Sequence, residues 1–396
     1  MANTNPRRRR KKTLQIPLPF AVGGILLLAA VILIIVLLSQ KKAPPAAQSS
    51  PVFGLVAVEQ EGKWGFAGKD GQLVIPAEYE AVKAFSDNAL AAVKQGGRWG
   101  YINKNGEPVI PCAYQDAESF SQGLAPVELD GRWGFINESG MDVIRAKYEF
   151  AGVFSSNGLA LVKSNGLYGY VTTDGTEAIA PQFDSAASFT RDAIALVSKG
   201  GLYGYIDSTG NYLIAPQFSY LGVFSQGLAP AKIHQNFGYV DKTGSFVIEE
   251  KFSYADSFSD DGIARVMISG KYGYINTAGE LITQELFTKA DNFRNGYAAV
   301  TVNGKQGILK KDGSYAIAPG DYQFPKPVSE GLVAIKTAEG LYGYMDMTGN
   351  TVVAPRFADA GSFRSDGTAF VLLDGKWGII DKAGNFLIAP SFDKIK

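Results

Sequence analysis

A single cysteine and a single histidine in 396 residues set the first limits. One thiol cannot close an intramolecular disulfide, so the fold must be held by its core. Cys112 takes the place that Ala77 holds in an equivalent segment, which reads as a small buried residue. One imidazole, His234, leaves no second ring for a histidine-based metal site and no frame for a triad. Charge of one sign is missing too: 38 basic residues balance 38 acidic ones, without the surplus of a nucleic-acid binder. No G-x-G-x-x-G opens a helix, and no phosphate-binding loop is present.

Long apolar runs are also absent, with one exception at the N-terminus. Arg7 to Arg10, Lys11 and Lys12 form a basic run, and the segment Phe20 to Leu38 that follows has neither charge nor proline. As a helix its 19 residues span about 28 Å, close to the roughly 30 Å hydrocarbon core of a bilayer. Six basic residues precede it, while Lys41 and Lys42 follow, which by the positive-inside rule leaves the N-terminus cytoplasmic. The expected order is a basic tail (1–15), a transmembrane helix (16–40), a Pro/Ala/Ser linker (41–51) and an extracytoplasmic β domain (52–396). A cleaved signal peptide, with cleavage near Ala46 or Ala47, is the rival reading. A core helix has no helical partner to pack on. Residues 1–50 carry eight basic and no acidic residues, which leaves the remainder at a net −8. The basic run thus reads as a topology signal next to lipid, and nucleic acid is not an expected partner.

What is present is a repeat. An aromatic-Gly marker recurs at Trp64-Gly65, Trp99-Gly100, Trp133-Gly134, Tyr168-Gly169, Tyr203-Gly204, Phe237-Gly238, Tyr272-Gly273, Tyr342-Gly343 and Trp377-Gly378, with Gln306-Gly307 filling the eighth place. The mean spacing is about 35 residues, a period of solenoids, propellers and arrays. Each marker follows a turn such as Asp130-Gly131 or Asn165-Gly166, a strong hairpin signal. His234-Gln235 breaks that chemistry in copy six. Six residues after every marker glycine stands another glycine, from Gly71 to Gly384, which reads as a second turn. A third strand follows, for example Leu73-Val74-Ile75, and Pro76, Pro111, Pro181, Pro216, Pro319, Pro355 or Pro390 is expected to end it. Aromatics at fixed phase (Tyr79 to Phe392, then Phe85, Phe120, Phe154, Phe189, Phe224, Phe258, Phe293 and Phe363) read as anchors that pack a loop on the neighbouring unit. The marker glycine suggests a ring packed over it.

This pattern resembles the WG-repeat, or KWG-repeat, family of bacterial proteins over residues 53–396. The best matches are Gly62-Lys63-Trp64-Gly65-Phe66, Gly97-Arg98-Trp99-Gly100-Tyr101-Ile102 and Gly375-Lys376-Trp377-Gly378-Ile379-Ile380-Asp381. The resemblance implies β-repeat modules and no catalytic residues. Gln306 and the insertion Pro325-Lys326-Pro327 depart most from it, so a hinge or special site, if the array has one, is to be sought in copies six to eight.

The expected fold is all-β: ten tandem antiparallel β-meander repeats of three strands in a curved, solenoid-like array, with a closed propeller-like ring as the alternative. Ten copies exceed the usual four to eight propeller blades, which favours the open form. The ring is favoured by phase, since Lys396 followed by Val52-Phe53-Gly54-Leu55 would continue the repeat, and by the lack of polar terminal caps.

No catalytic, cofactor or metal residues are assigned. His234 reads as a solvent-facing turn residue. Asp70-Gly71 and Asp312-Gly313 lack the spaced carboxylates and closing Glu of a calcium loop. The tryptophans read as core before sugar platforms. No two acids are placed together as glycoside chemistry requires. The expected function is that of a membrane-anchored binding or scaffold module for a protein or cell-envelope glycan. Less favoured alternatives are a sensory ectodomain with a membrane partner and a carbohydrate-active enzyme.

Overall fold

The computed structural model describes residues 54–396 except Lys69. The basic tail, the expected span and the linker lie outside the described residues. Within them every regular element is a β-strand, and no helix is long and apolar enough to cross a membrane.

The strands form ten small antiparallel sheets arranged as a ten-bladed β-propeller. Each full blade has four strands, where three were expected. Blade four is typical: Phe150–Ala151, Leu159–Ser164, Leu167–Thr172 and Glu177–Phe183, hydrogen-bonded in sequence order. The central hairpin turns as its sequence demands. In blade three Asp130 and Gly131 take φ values of 52° and 72°, the left-handed pair of a type I′ turn.

Three expectations are corrected at this level. The short first strand is one. The second concerns proline, which does not end the outer strand. Leu73–Tyr79 runs through Pro76 to pair Tyr79 with Trp64, while Ile75 pairs with Phe66. Two extra residues therefore bulge out opposite one, and proline, with no N–H to leave unpaired, fits that bulge. The third is the reason for the marker glycine. No ring covers it. A Cβ on Gly65 would lie 2.5 Å from the Ile75 carbonyl oxygen and 2.7 Å from the Pro76 carbonyl carbon, so the bulged backbone itself fills the space.

The open array is also corrected, because the ring closes. Lys394–Ile395, after the tenth copy, supplies the first strand of blade one by pairing with Val58 and Glu59. Lys394 Nζ reaches the Glu59 carboxylate at 2.8 Å, and Lys396 Nζ lies 3.9 Å from the centre of the Trp64 ring. The hydrophobic core is divided into ten clusters, each shared by two neighbouring blades. An open row of ten units has only nine such interfaces. The tenth joins Val56, Val58 and Ala67 to Ile379, Ile388 and Phe392. Gly71 meets the Ile388 side chain just as Gly106 meets Ile75 and Gly140 meets Ile110.

The interfaces are built from the phased aromatics, as expected. The ring two residues after the marker is buried and tilts against the loop phenylalanine of the next blade: Tyr170 on Phe189 at 4.6 Å, Tyr239 on Phe258 at 4.8 Å, Tyr344 on Phe363 at 4.7 Å. Where that residue is tyrosine, its hydroxyl donates to a carbonyl of the next blade, as Tyr170 does to Ala187 at 2.6 Å and Tyr205 to Gly222 at 2.8 Å. Each pairing combines buried area with one satisfied hydrogen bond, roughly 1.5–3 kcal/mol for the ring alone.

Two blades depart. Blade seven lacks a regular outer strand, since its segment 281–287 makes only isolated bridges at Leu281 and Phe287. In blade nine the short first strand is reduced to a single bridge, Gln323 with Lys336, and Pro325-Lys326-Pro327 follows it.

Candidate functional site

The loops that lead from the short first strand into the central hairpin stitch neighbouring blades together. In most copies they repeat: Phe120-Ser121-Gln122-Gly123, Phe154-Ser155-Ser156-Asn157-Gly158, Phe224-Ser225-Gln226-Gly227. In blades seven and eight they become Asp256-Ser257-Phe258-Ser259-Asp260-Asp261 and Asp291-Asn292-Phe293-Arg294-Asn295. Between these loops and Tyr220 of blade six opens a cavity of about 540 Å³.

Its wall rests on Arg265, in the middle of strand Ile263–Ile268. The equivalent position holds Ala57, Ala92, Pro126, Leu161, Leu196, Pro230, Ala299, Ala334 or Phe370 in the other blades. A charge in this apolar place needs partners, and it has them. Its Nε donates to Asp256 Oδ2 at 2.8 Å, and its Nη1 donates to the Ala290 carbonyl of blade eight. The guanidinium lies 5.0 Å from the Tyr272 ring centre and 5.9 Å from that of Tyr254. The second carboxylate oxygen of Asp256 accepts from the Tyr254 hydroxyl at 2.6 Å. That hydrogen bond, with burial, raises the Tyr254 pKa above its ordinary value. Asp256 is thus fully engaged and serves the wall.

The loops are fixed in turn. Asp261 Oδ2 accepts from the Gly296 amide at 2.9 Å, Asn295 Nδ2 donates to Val328 at 3.1 Å, and Ser257 Oγ donates to Val223 at 3.0 Å. Phe258 and Phe293 form a buried floor against Tyr239 and Tyr274. The groups left at the mouth are Asp260, Arg294 and Asn292, all exposed, beside the Tyr220 ring, which is 42% exposed. Among the described residues neither Asp260 nor Arg294 makes an ion pair. This region falls among copies six to eight, where the sequence departs. The individual residues were missed, although Arg265 in an otherwise apolar column was a readable signal.

The residues weighed from sequence lie elsewhere. His234 is a turn residue with its side chain 78% exposed and Nδ1 3.1 Å from Glu250 Oε2. Cys112 is half-buried, with Sγ 3.8 Å from the Val93 carbonyl, and burial raises its pKa. Asp70 and Asp312 each accept from backbone amides two residues on, at 3.1 and 2.9 Å, which is turn chemistry. The marker rings are half-buried rather than fully core, apart from Trp99, and several are covered by a lysine, as Tyr168 is by Lys163 at 5.1 Å.

No curated protein sequence matches the chain. Among solved structures, one described as a eukaryotic initiation factor aligns with TM-score 0.50 and 11% identity over 86% of this chain and 96% of its own. BamB from Moraxella catarrhalis aligns at TM-score 0.37 and 14% identity, over 68% and 91%. At such identities the first likeness is one of fold alone, and the second carries no weight. The sequence model described as "WG containing repeat" matches residues 64–99, 99–133, 133–168, 168–203, 203–236, 237–272, 272–305, 342–377 and 377–396. It passes over 306–341, the copy with glutamine at the marker. With matches along most of its length, the chain belongs to the family of WG-containing repeat proteins.

Proposed function

We propose that the protein is a membrane-anchored, extracytoplasmic binding module that acts by capture and not by catalysis. The observation that carries this reading is the departure of copies seven and eight from the repeat, which places exposed, unpaired polar groups around a cavity. A rigid ring of similar blades suits a docking platform, and its loops can vary without disturbing the core. Binding is preferred to chemistry because Asp256 is spent on Arg265 and Tyr254, and Asp261 on a backbone amide. The anchor rests on the apolar run 20–38 after six basic residues.

Two measurements test the reading. Protease added to intact cells should degrade residues 52–396 and spare an N-terminal tag; protection of the repeats would place them inside. Crosslinking in cells should capture a partner that is lost when 52–396 is deleted. Absence of any captured molecule would count against a binding role.

A further inference from the structure

We infer that the cavity of blades six to eight is a binding site for a neutral, polyhydroxylated ligand, one or a few sugar rings of a glycan. The inference rests on the binding-module reading above and gives it a place and a ligand class.

Three departures from the repeat converge on this one cavity. Arg265 and Asp256 stiffen its wall. Asp260-Asp261 puts two acids side by side where the other loops carry at most one, as in Asp87-Asn88, Arg191-Asp192, Glu330 and Ser365-Asp366. Arg294 stands where copies two to seven carry Ser86, Ser121, Ser155, Thr190, Ser225 and Ser259, and where copy ten carries Arg364.

The groups that remain free decide the ligand's chemistry. Asp256 is paired with Arg265 and Asp261 is held by the Gly296 amide, so Asp260 and Arg294 are the charged side chains free to reach a ligand, and the still-ionised Asp261 leaves the cavity a single net negative charge. What it offers is both kinds of hydrogen bond. Asp260 accepts from adjacent hydroxyls, Arg294 donates to them, and the Asn292 amide does both. The Tyr220 ring adds an exposed apolar face with an edge-on partner, Phe237, at 5.2 Å. A sugar ring presents this same pairing of hydroxyl edge and C–H face. At about 540 Å³ the cavity takes one or two such rings. A cationic side chain would meet Arg294, an anion would meet Asp260, and an apolar ligand would strip water from both.

The test uses the full-length protein in detergent and three defined probes, maltotriose, cellotriose and triacetylchitotriose, followed by calorimetry and saturation-transfer NMR. At least one should bind, and R294A and D260N should each weaken it about tenfold or more, the size of one lost charged hydrogen bond. R191A, on the blade-five loop, should bind like the wild type. All three positions are exposed, and unchanged thermal unfolding would show that the variants fold. The inference is overturned if no trisaccharide binds, if binding ignores both variants, or if pentalysine binds instead and D260N abolishes it. Should crosslinking capture the same partner with wild type and R294A while no sugar binds, the binding-module reading stands and the cavity assignment falls. Should neither sugar nor partner be found, both fall.

Discussion

Gly169 and Tyr170 stand side by side and carry two separate jobs. A Cβ on Gly169 would lie 2.5 Å from the Ile179 carbonyl oxygen and 2.6 Å from the Pro181 nitrogen, backbone atoms that cannot yield cheaply. G169A should therefore cost about 1–3 kcal/mol, the usual price of overpacking. Y170F keeps the ring but orphans the Ala187 carbonyl that its hydroxyl reaches at 2.6 Å. That should cost on the order of 1–3 kcal/mol. Urea unfolding monitored by circular dichroism measures both, and unchanged midpoints would contradict the packing described. The buried phenols also fix a pH limit. Burial pushes Tyr205 up to about 12 from its ordinary 10.0, and burial moves Tyr101, Tyr170, Tyr239, Tyr274 and Tyr344 in the same direction. The folded pKa is the higher one, so this contribution is complete below pH 10 and is lost as pH rises from 10.0 towards 12. The urea midpoint should fall across that window, and Y205F should flatten part of the fall. An ultraviolet titration with all tyrosines ionising near 10 before unfolding would refute it.

At the scale of elements, the smallest strand matters most for closure. Lys394–Ile395 is two residues long, yet it completes blade one and gives the nearly buried Glu59 its ammonium partner. Removing residues 394–396 should leave that carboxylate unpaired and expose the blade-one edge. The loss should be about 1–3 kcal/mol, since Lys394 itself is largely solvated. E59Q in the truncated chain should recover part of it. Equal thermal midpoints for the full and truncated chains would mean the strand does not hold the ring. Such strands were not legible in the sequence, because two residues show no period. The hairpins were, because Asp-Gly and Asn-Gly turns announce left-handed backbone directly. Pro76 and its counterparts were misread as stops: a missing N–H fits a strand end and a bulge equally well, and only the Trp64–Tyr79 pairing separates them. The same bulge explains the marker glycine, whose cause lay in a strand ten residues away.

At the scale of the whole molecule, one contact pattern repeated ten times separates ring from row. Phase in the sequence was consistent with both, since any whole number of copies shows it. Closure depends on the rotation from blade to blade, which side-chain packing sets and no local motif encodes. The site was legible to a similar depth. Gln306, the proline insertion and the broken turn at His234 pointed to copies six to eight, but the cavity joins Tyr220 to Arg294 across more than two periods, a convergence only the ring creates. Closure also makes a prediction that an open array would not. Stability in an open array is close to a sum of units and nearest-neighbour interfaces, so loss of one inner copy removes a unit and an interface and leaves the rest as it was. Deleting residues 134–168, one whole copy in register, should do more here. Nine blades of unchanged shape cannot bring Lys394–Ile395 back to Val58 and Glu59 without straining every interface or leaving the seam open. The deletion should turn a single cooperative unfolding transition into a broad one at lower temperature, with faster hydrogen exchange at strands 56–60 and 386–392 than in the intact ring. A nine-copy chain that melts as sharply as the parent, with those strands still protected, would show that the blades adjust their angles freely. The tenth interface would then be a consequence of the count and not a condition of the fold.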